Sequence, residues 1–330
     1  MSFADVDVSE GVTETQLHQT SGRSAPTHAD HVSKHDADEL CGIVERARTQ
    51  GDRDELWTQA DDVQLPGFGE HGKDTCGDPF PCFCSACGET KNMGECCNMS
   101  QCPRCAPNWA RKTATRVVAK LLAIRAYRDS FMESHQRCHH VVNSFDLDSP
   151  NCPVDHEQAL DISKKLYSAV GVDGWLAFHP FRGRERDDRG AWKERLFDDR
   201  GWDDVSDELV WSPHVHGIVV GHQVPGGNVT KELEARTDLL MHRITKEDSS
   251  VSLYDEFDLA RAVTYILSHV GTFETDAGDR RAATRWFGEH ANDVTASPLQ
   301  EAKVDHVVRA VAPKTLGLPL NRLACSEHHA

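Results

Sequence analysis

The stretch Ser212-Pro213-His214-Val215-His216-Gly217-Ile218-Val219-Val220 decides how this chain is read. Its apolar, β-branched content predicts a strand. Strand side chains alternate faces, so His214 and His216 project from one side while Val215 turns the other way into a core. Two neutral imidazoles about 7 Å apart along a rigid strand suit a single divalent metal ion. Further along comes Ala262-Val263-Thr264-Tyr265-Ile266-Leu267-Ser268-His269, on a predicted helix. Asp255 is its N-cap and Gly271 its C′ residue. Leu259, Val263, Ile266 and Val270 form the stripe for burial. Asp258, Ala262, Tyr265 and His269 share another face, so Tyr265 and His269 lie one turn apart and can meet the same metal-bound phosphate.

Working outward, His139 to Phe145 reads as a strand, and Gly174 to Arg182 as another, ended by Pro180. The segment carrying the histidine pair extends over 208–221. Helices are expected over 154–170 and 231–246. The fold class is therefore α+β, built on an antiparallel sheet.

Twelve cysteines are present, eight of them between Cys76 and Cys105. Cys84-x2-Cys87, a gap of fourteen residues, and Cys102-Pro-Arg-Cys105 make a four-thiolate zinc pattern. Cys76, Cys82, Cys96 and Cys97 are left over for a second zinc site. A helix is expected over 108–128, with Ala110, Ala114, Val117, Leu121 and Ile124 on its apolar stripe. No acidic residue occurs from Cys97 to Arg128, while seven basic ones do. Arg111, Lys112, Arg116 and Lys120 are the candidate DNA-backbone contacts.

That window stands out because the chain carries 53 acidic and 36 basic residues, a net charge of −17. A strongly negative protein should repel nucleic acid. An acidic, lysine-poor surface fits a salt-loaded cytoplasm, where at molar salt the Debye length is about 3 Å and local contacts decide. The start has no basic, apolar secretory character, and no run reaches the ~18 apolar residues of a membrane span, so a cytoplasmic protein without membrane association is expected. Four regions are predicted: an acidic, disordered tail over 1–65 with a short helix near Leu40 to Arg48, a zinc module with the basic helix over 66–130, a core over 131–290, and a loosely held tail over 291–330.

Strand 139–145, the pair His214 and His216, and the helix of Tyr265 occur in the order of the three motifs of rolling-circle replication initiators. These belong to the His–hydrophobic–His (HUH) endonuclease superfamily. The chain resembles most the Rep proteins of haloarchaeal plasmids and viruses, in which a cysteine-rich module often precedes the core, and the likeness covers roughly residues 76 to 290. It implies that His214 and His216 hold Mg²⁺ or Mn²⁺, with His269 as third ligand and His139, His140 and Asp146 as alternatives. It implies that Tyr265 attacks a DNA phosphate, leaving a 5′-phosphotyrosine and a free 3′-OH that primes replication, before a second transesterification rejoins the strand. Tyr254 is the substitute nucleophile. Ser268 stands where the common plasmid form has a lysine, so lysine-assisted chemistry does not carry over. Single-stranded or extruded origin DNA would be the substrate, with a host helicase and polymerase as partners, since no Walker-type sequence is present. A transposase or relaxase would use the same nicking residues. A non-catalytic, zinc-dependent DNA-binding regulator and a metal hydrolase that needs no tyrosine are the readings from other classes.

Overall fold

The computed structural model describes residues 34–47, 63–83, 88, 90–149, 152–153, 155–183, 202–222, 224–244, 253, 255–274 and 280–316. The first half of the chain supplies α1 (Lys34–Ala47), β1 (Pro79–Phe83), β2 (Thr90–Gly94), α2 (Ala106–Asp129), β3 (Arg137–Phe145), α3 (His156–Ala169) and β4 (Asp173–Gly183). The second half supplies α4 (Trp202–Ser206), β5 (Leu209–Gly221), α5 (Asn228–Thr237), β6 (Leu239–Ile244), α6 (Glu256–Ser268), β7 (Thr272–Glu274), β8 (Arg280–Ala282), β9 (Thr284–Phe287) and α7 (Pro298–Thr315). The protein is mixed α/β, with a five-stranded sheet in the order β6-β3-β5-β4-β9 whose neighbours all run antiparallel.

Both faces of this sheet are covered. Val141, Phe145, Leu176, Phe178, Val215 and Val219 point to one side and pack against α1, α3 and α5. Trp175, Ala177, Ile218 and Val220 point to the other and pack against α2, α6 and α7. β5 lies between β3 and β4 and pairs with both, which explains its nearly unbroken burial from Pro213 to Gly221. The expected apolar stripe of α2 is buried at Ala110, Ala114, Val117, Leu121 and Ile124. Full burial of a side chain such as Leu121 is worth about 1.5–3 kcal/mol.

Two polar networks fix the layers. The Tyr167 hydroxyl donates to Asn143 Oδ1 at 2.7 Å, and Asn143 Nδ2 donates to Ser163 Oγ at 2.9 Å, tying α3 to β3 in the interior. At the far end of α2, Arg128 donates to the Asp173 carboxylate, to Gln136 Oε1 and to the Gly171 carbonyl. Asp173 is fully buried and also accepts the backbone N–H of His290 at 2.7 Å, so one carboxylate joins α2, the start of β4 and the segment before α7.

Three expectations are corrected. The helix expected over 231–246 stops at Thr237; Asp238 turns left-handed at φ 57°, and Leu239 to Ile244 form β6 on the edge of β3. The burial of Leu239 and Met241, alternating with exposed Leu240 and His242, is a strand period that the helical reading overlooks. Pro180 does not end β4. It sits in a register shift between His179 and Phe181, and pairing with β5 resumes to Gly183. The tail expected from 291 onward contains α7, opened by a Ser297/Gln300 capping box and buried at Val304, Val308, Val311, Ala312 and Leu316. Likewise α1 is packed through Ala37, Leu40, Cys41 and Val44. The rest of the tail expected to be disordered lies outside the described residues, apart from 63–65.

Replacing Asp173 by alanine leaves the Arg128 guanidinium buried without its partner. We expect a loss of about 3–5 kcal/mol in unfolding free energy. Urea denaturation of the purified variant measures this, and a loss under about 1 kcal/mol would show that the network is not a structural anchor.

Candidate metal centres

β5 presents His214 and His216 on the same face, as their spacing predicts, and the adjacent β4 sets His179 directly opposite His214. His179, His214 and His216 are all buried, and their ligand atoms lie within 4.8 Å of one another. Hydrogen bonds fix one nitrogen of each ring. His214 Nδ1 is 2.6 Å from the Ser212 carbonyl. A carbonyl only accepts, so Nδ1 carries the proton and Nε2 keeps its lone pair. His179 Nε2 is 2.9 Å from the Ile266 carbonyl, which leaves Nδ1 with the lone pair. His216 Nδ1 lies 2.8 Å from His140 Nε2; with His216 as donor, its Nε2 is the third lone pair. Orientation of a ligating imidazole through its other nitrogen is the usual support of a metal site.

Burial also keeps these rings neutral, the form that binds metal. It lowers the pKa of His214 to about 3 and of His140 to about 4, and takes those of His179 and His216 well below the ordinary value. The mutual repulsion of the imidazoles adds to the effect at His179 and His216. Three neutral nitrogen donors fit one transition-metal ion with room for a further ligand. They fit Mg²⁺ less well, since that ion prefers oxygen donors.

The third position in this group is His179, not His269. His269 ends α6, where its Nδ1 lies 2.8 Å from the Tyr265 carbonyl and 2.7 Å from Ser268 Oγ. Its ring centroid is 5.8 Å from that of His179. His140 stands behind His216 as its hydrogen-bond partner. His139 faces the opposite side of the sheet, and Asp146 is exposed in the turn after β3, where it accepts from Asp148 N–H. Tyr265 is half-buried, with its ring centroid 6.1 Å from His216 and 4.7 Å from His269. Burial raises its pKa, while the Arg182 charge lowers it. Tyr127 is exposed on α2 and Tyr167 is buried on the other face of the sheet; Tyr254 lies outside the described residues.

A second group consists of thiols. Cys76, Cys97, Cys102 and Cys105 bring their sulfurs within 4.8 Å of one another, a set that fits tetrahedral Zn²⁺. The Cys102-x2-Cys105 knuckle behaves as expected, closing on the Cys102 carbonyl and leading directly into α2. Its companions among the described residues come from the two ends of the hairpin. Cys76 comes from before β1 and Cys97 from after β2, whereas Cys84 and Cys87 lie outside the described residues. The hairpin β1–β2 brings the flanking cysteines together, so two of the thiols reserved for a second site stand beside the Cys102–Cys105 pair. Cys96 Sγ lies 3.2 Å from Cys105 Sγ and His71 Nδ1 lies 3.0 Å from Cys102 Sγ, as neighbours of the group. Cys82 sits in β1 opposite Lys91. Burial works against ionisation of Cys97, but backbone hydrogen bonds from Met99 and Gly72 prevail and bring its pKa to about 7. Burial pushes Cys102 up to about 11. Gly77, at φ 102°, leaves space for Arg104: a Cβ there would lie 2.2 Å from Arg104 Nη1.

The basic run divides by role. Arg111 is buried and ion-paired with Asp305 of α7, and it also donates to Asn108, so it is a packing residue rather than a DNA contact. Arg128 is committed to Asp173. Lys120 lies over the Trp286 ring, 4.4 Å from its centroid. Lys112 and Arg116 are exposed, with Lys112 reaching Asn98 Oδ1 at 2.9 Å. No helix among the described residues is long and apolar enough to cross a membrane.

Two outcomes follow from these geometries. Cys76→Ser and Cys97→Ser should each lower the zinc content of freshly reduced protein, measured by plasma emission spectrometry; full retention in both would exclude them as ligands. Acid should destabilise the fold through the buried imidazoles. Their folded pKa values are depressed, so their contribution is complete above about pH 6.5 and is lost as pH falls toward about 4, where the unfolded chain takes up protons that the folded one refuses. The urea midpoint should drop across that window, and His140→Gln should flatten the slope; an unchanged slope would contradict the assignment. No protein-family model, curated protein or solved structure matches this chain.

Proposed function

We propose that this protein is a metal-dependent DNA strand transferase of rolling-circle type, which nicks and rejoins single-stranded DNA through Tyr265. The observation that carries this reading is the position of Tyr265. It rides on α6, the helix whose Ile266 carbonyl holds His179, and its ring stands edge-on to His216 at 6.1 Å. The candidate nucleophile and the carbonyl that orients His179 therefore belong to the same turn of helix.

His179, His214 and His216 would hold the divalent ion, whose chemistry is to polarise the phosphoryl oxygens of a scissile phosphodiester. Tyr265 Oη would form a bond to phosphorus as the bond to the 3′ oxygen breaks. The tyrosine proton ends on the departing 3′-OH, so no water and no redox partner is consumed. The bond energy is kept in the 5′-phosphotyrosine, and attack by a 3′-OH reverses the step and rejoins the strand. A tyrosine ionises near pH 10 when exposed; burial raises the pKa of Tyr265 and the Arg182 charge lowers it. The order of the three motifs favours an initiator of replication, with origin DNA as substrate. Lys112 and Arg116 are the exposed cations of α2 that would contact backbone phosphates.

Tyr265→Phe removes one oxygen and keeps the ring. Nicking of a supercoiled plasmid and the covalent protein–oligonucleotide adduct should both fall by about a thousandfold or more, with folding and DNA binding retained. Continued nicking by the Tyr265→Phe variant, with no adduct formed, would favour a metal hydrolase that uses water. A wild-type protein that binds DNA but never nicks it would favour a non-catalytic regulator.

A further inference from the structure

Arg182 belongs to the exposed end of β4, past the register shift at Pro180. In a regular strand the residue sharing the face of His179 would be Phe181. The shift inverts this. Phe181 pairs with Trp211 and packs against the Trp211 and Trp202 rings, while Arg182 pairs with Val210. Across the shift β5 carries one residue more than β4, Ser212 and Pro213 standing against Pro180, and Arg182 lies on the histidine face, as its bond to Ser144 shows, a recurrent use of β-bulges beside sites of chemistry.

The side chain of Arg182 then reaches over β5 to β3. Its Nη2 donates to Ser144 Oγ at 2.8 Å, and Ser144 is the direct cross-strand partner of His214. The guanidinium charge is felt at His214, at His242 on β6 and at Tyr265. Ser144 and His242 lie on the same face of the sheet as His214 and His216. β6 contributes the exposed apolar residues Leu240 and Ile244 on that face.

We propose that Arg182 is the phosphate-binding cation of this site, holding a non-bridging oxygen of the DNA phosphodiester beside the three imidazoles. This rests on the strand-transfer reading for its substrate, but the anion site itself stands on the geometry of β4. Guanidinium suits the role because it is planar, permanently charged and able to bond two phosphate oxygens at once, whereas lysine offers a point charge. The Ser144 hydrogen bond orients the guanidinium before a phosphate arrives, which lowers the ordering cost of binding.

The test compares wild type, Arg182→Gln and Arg182→Lys, each loaded with Mn²⁺. Mn²⁺ affinity, read by electron paramagnetic resonance, should stay within about twofold, because Arg182 is not a ligand. Affinity for a short oligothymidylate should fall by about 10- to 100-fold in Arg182→Gln, the worth of a charged hydrogen bond, and Arg182→Lys should recover part of it. Broadening of the ³¹P line of inorganic phosphate by bound Mn²⁺ should weaken in parallel. Equal oligonucleotide and phosphate affinities in all three proteins would overturn the assignment. So would a fall of Mn²⁺ affinity in step, which would make Arg182 a support of the histidines. If wild type never nicks but the phosphate differences persist, the strand-transfer reading fails and the anion site stands. If wild type nicks and Arg182→Gln nicks equally well, the reverse holds.

Discussion

The antiparallel pairing of β4 with β5 is the constraint on which the candidate site depends. It sets His179 opposite His214, and it can do so only while Ala177 and Trp175 stay in register with His216 and Ile218. A slip by one residue would move every side chain of β4 to the other face. The register is specified because both faces are buried: Leu176 and Phe178 fill one core while Trp175 and Ala177 fill the other. The hydrophobic cores therefore do more than stabilise the sheet. They hold three polar rings in a dry interior at positions that burial alone would disfavour, and hydrogen bonds to two carbonyls and to His140 offset that cost.

The acidic chain also changes what its arginines mean. In a protein with a net charge of −17, a stretch of seven uncompensated cations reads as a nucleic-acid face. In the fold two of the arginines are interior ties. Arg111 pairs with Asp305 and Arg128 with Asp173, acidic residues far along the chain. Local absence of carboxylates says nothing about partners brought in by tertiary structure. What survives of the stripe is short, so on the strand-transfer reading local contacts near the site would have to work against an unfavourable overall field.

Much of this arrangement is legible in the sequence. The period-two pattern around His214 and His216 places them on a common face, and the helix of Tyr265 follows from its N-cap and apolar stripe. His179 is hidden because nothing in the sequence says that β4 neighbours β5, and because Pro180 reads as a strand end when it lies opposite a bulge of β5. The thiol group is only partly legible from spacing for a similar reason. Two Cys-x2-Cys spacings suggest a self-contained set, but the β1–β2 hairpin draws Cys76 and Cys97 to the Cys102–Cys105 turn. The helix α7 escapes notice because its polar surface residues outnumber the valines that bury it. In each case the local signal is sound, and the missing information is which segments meet.

Two of the three imidazoles take their tautomer from main-chain carbonyls, those of Ser212 and Ile266. A carbonyl is present whatever residue occupies the position, so side-chain replacement at either site leaves the proton on the same ring nitrogen. The protonation pattern of His214 and His179 is in this sense inherited with the backbone and insulated from mutational drift. His216 is different, since its Nδ1 is paired with the ring of His140, and either imidazole can supply the proton of that bond. Position 140 is thus where the electronic character of the site is open to evolutionary tuning, without any change to the residues that would touch the metal.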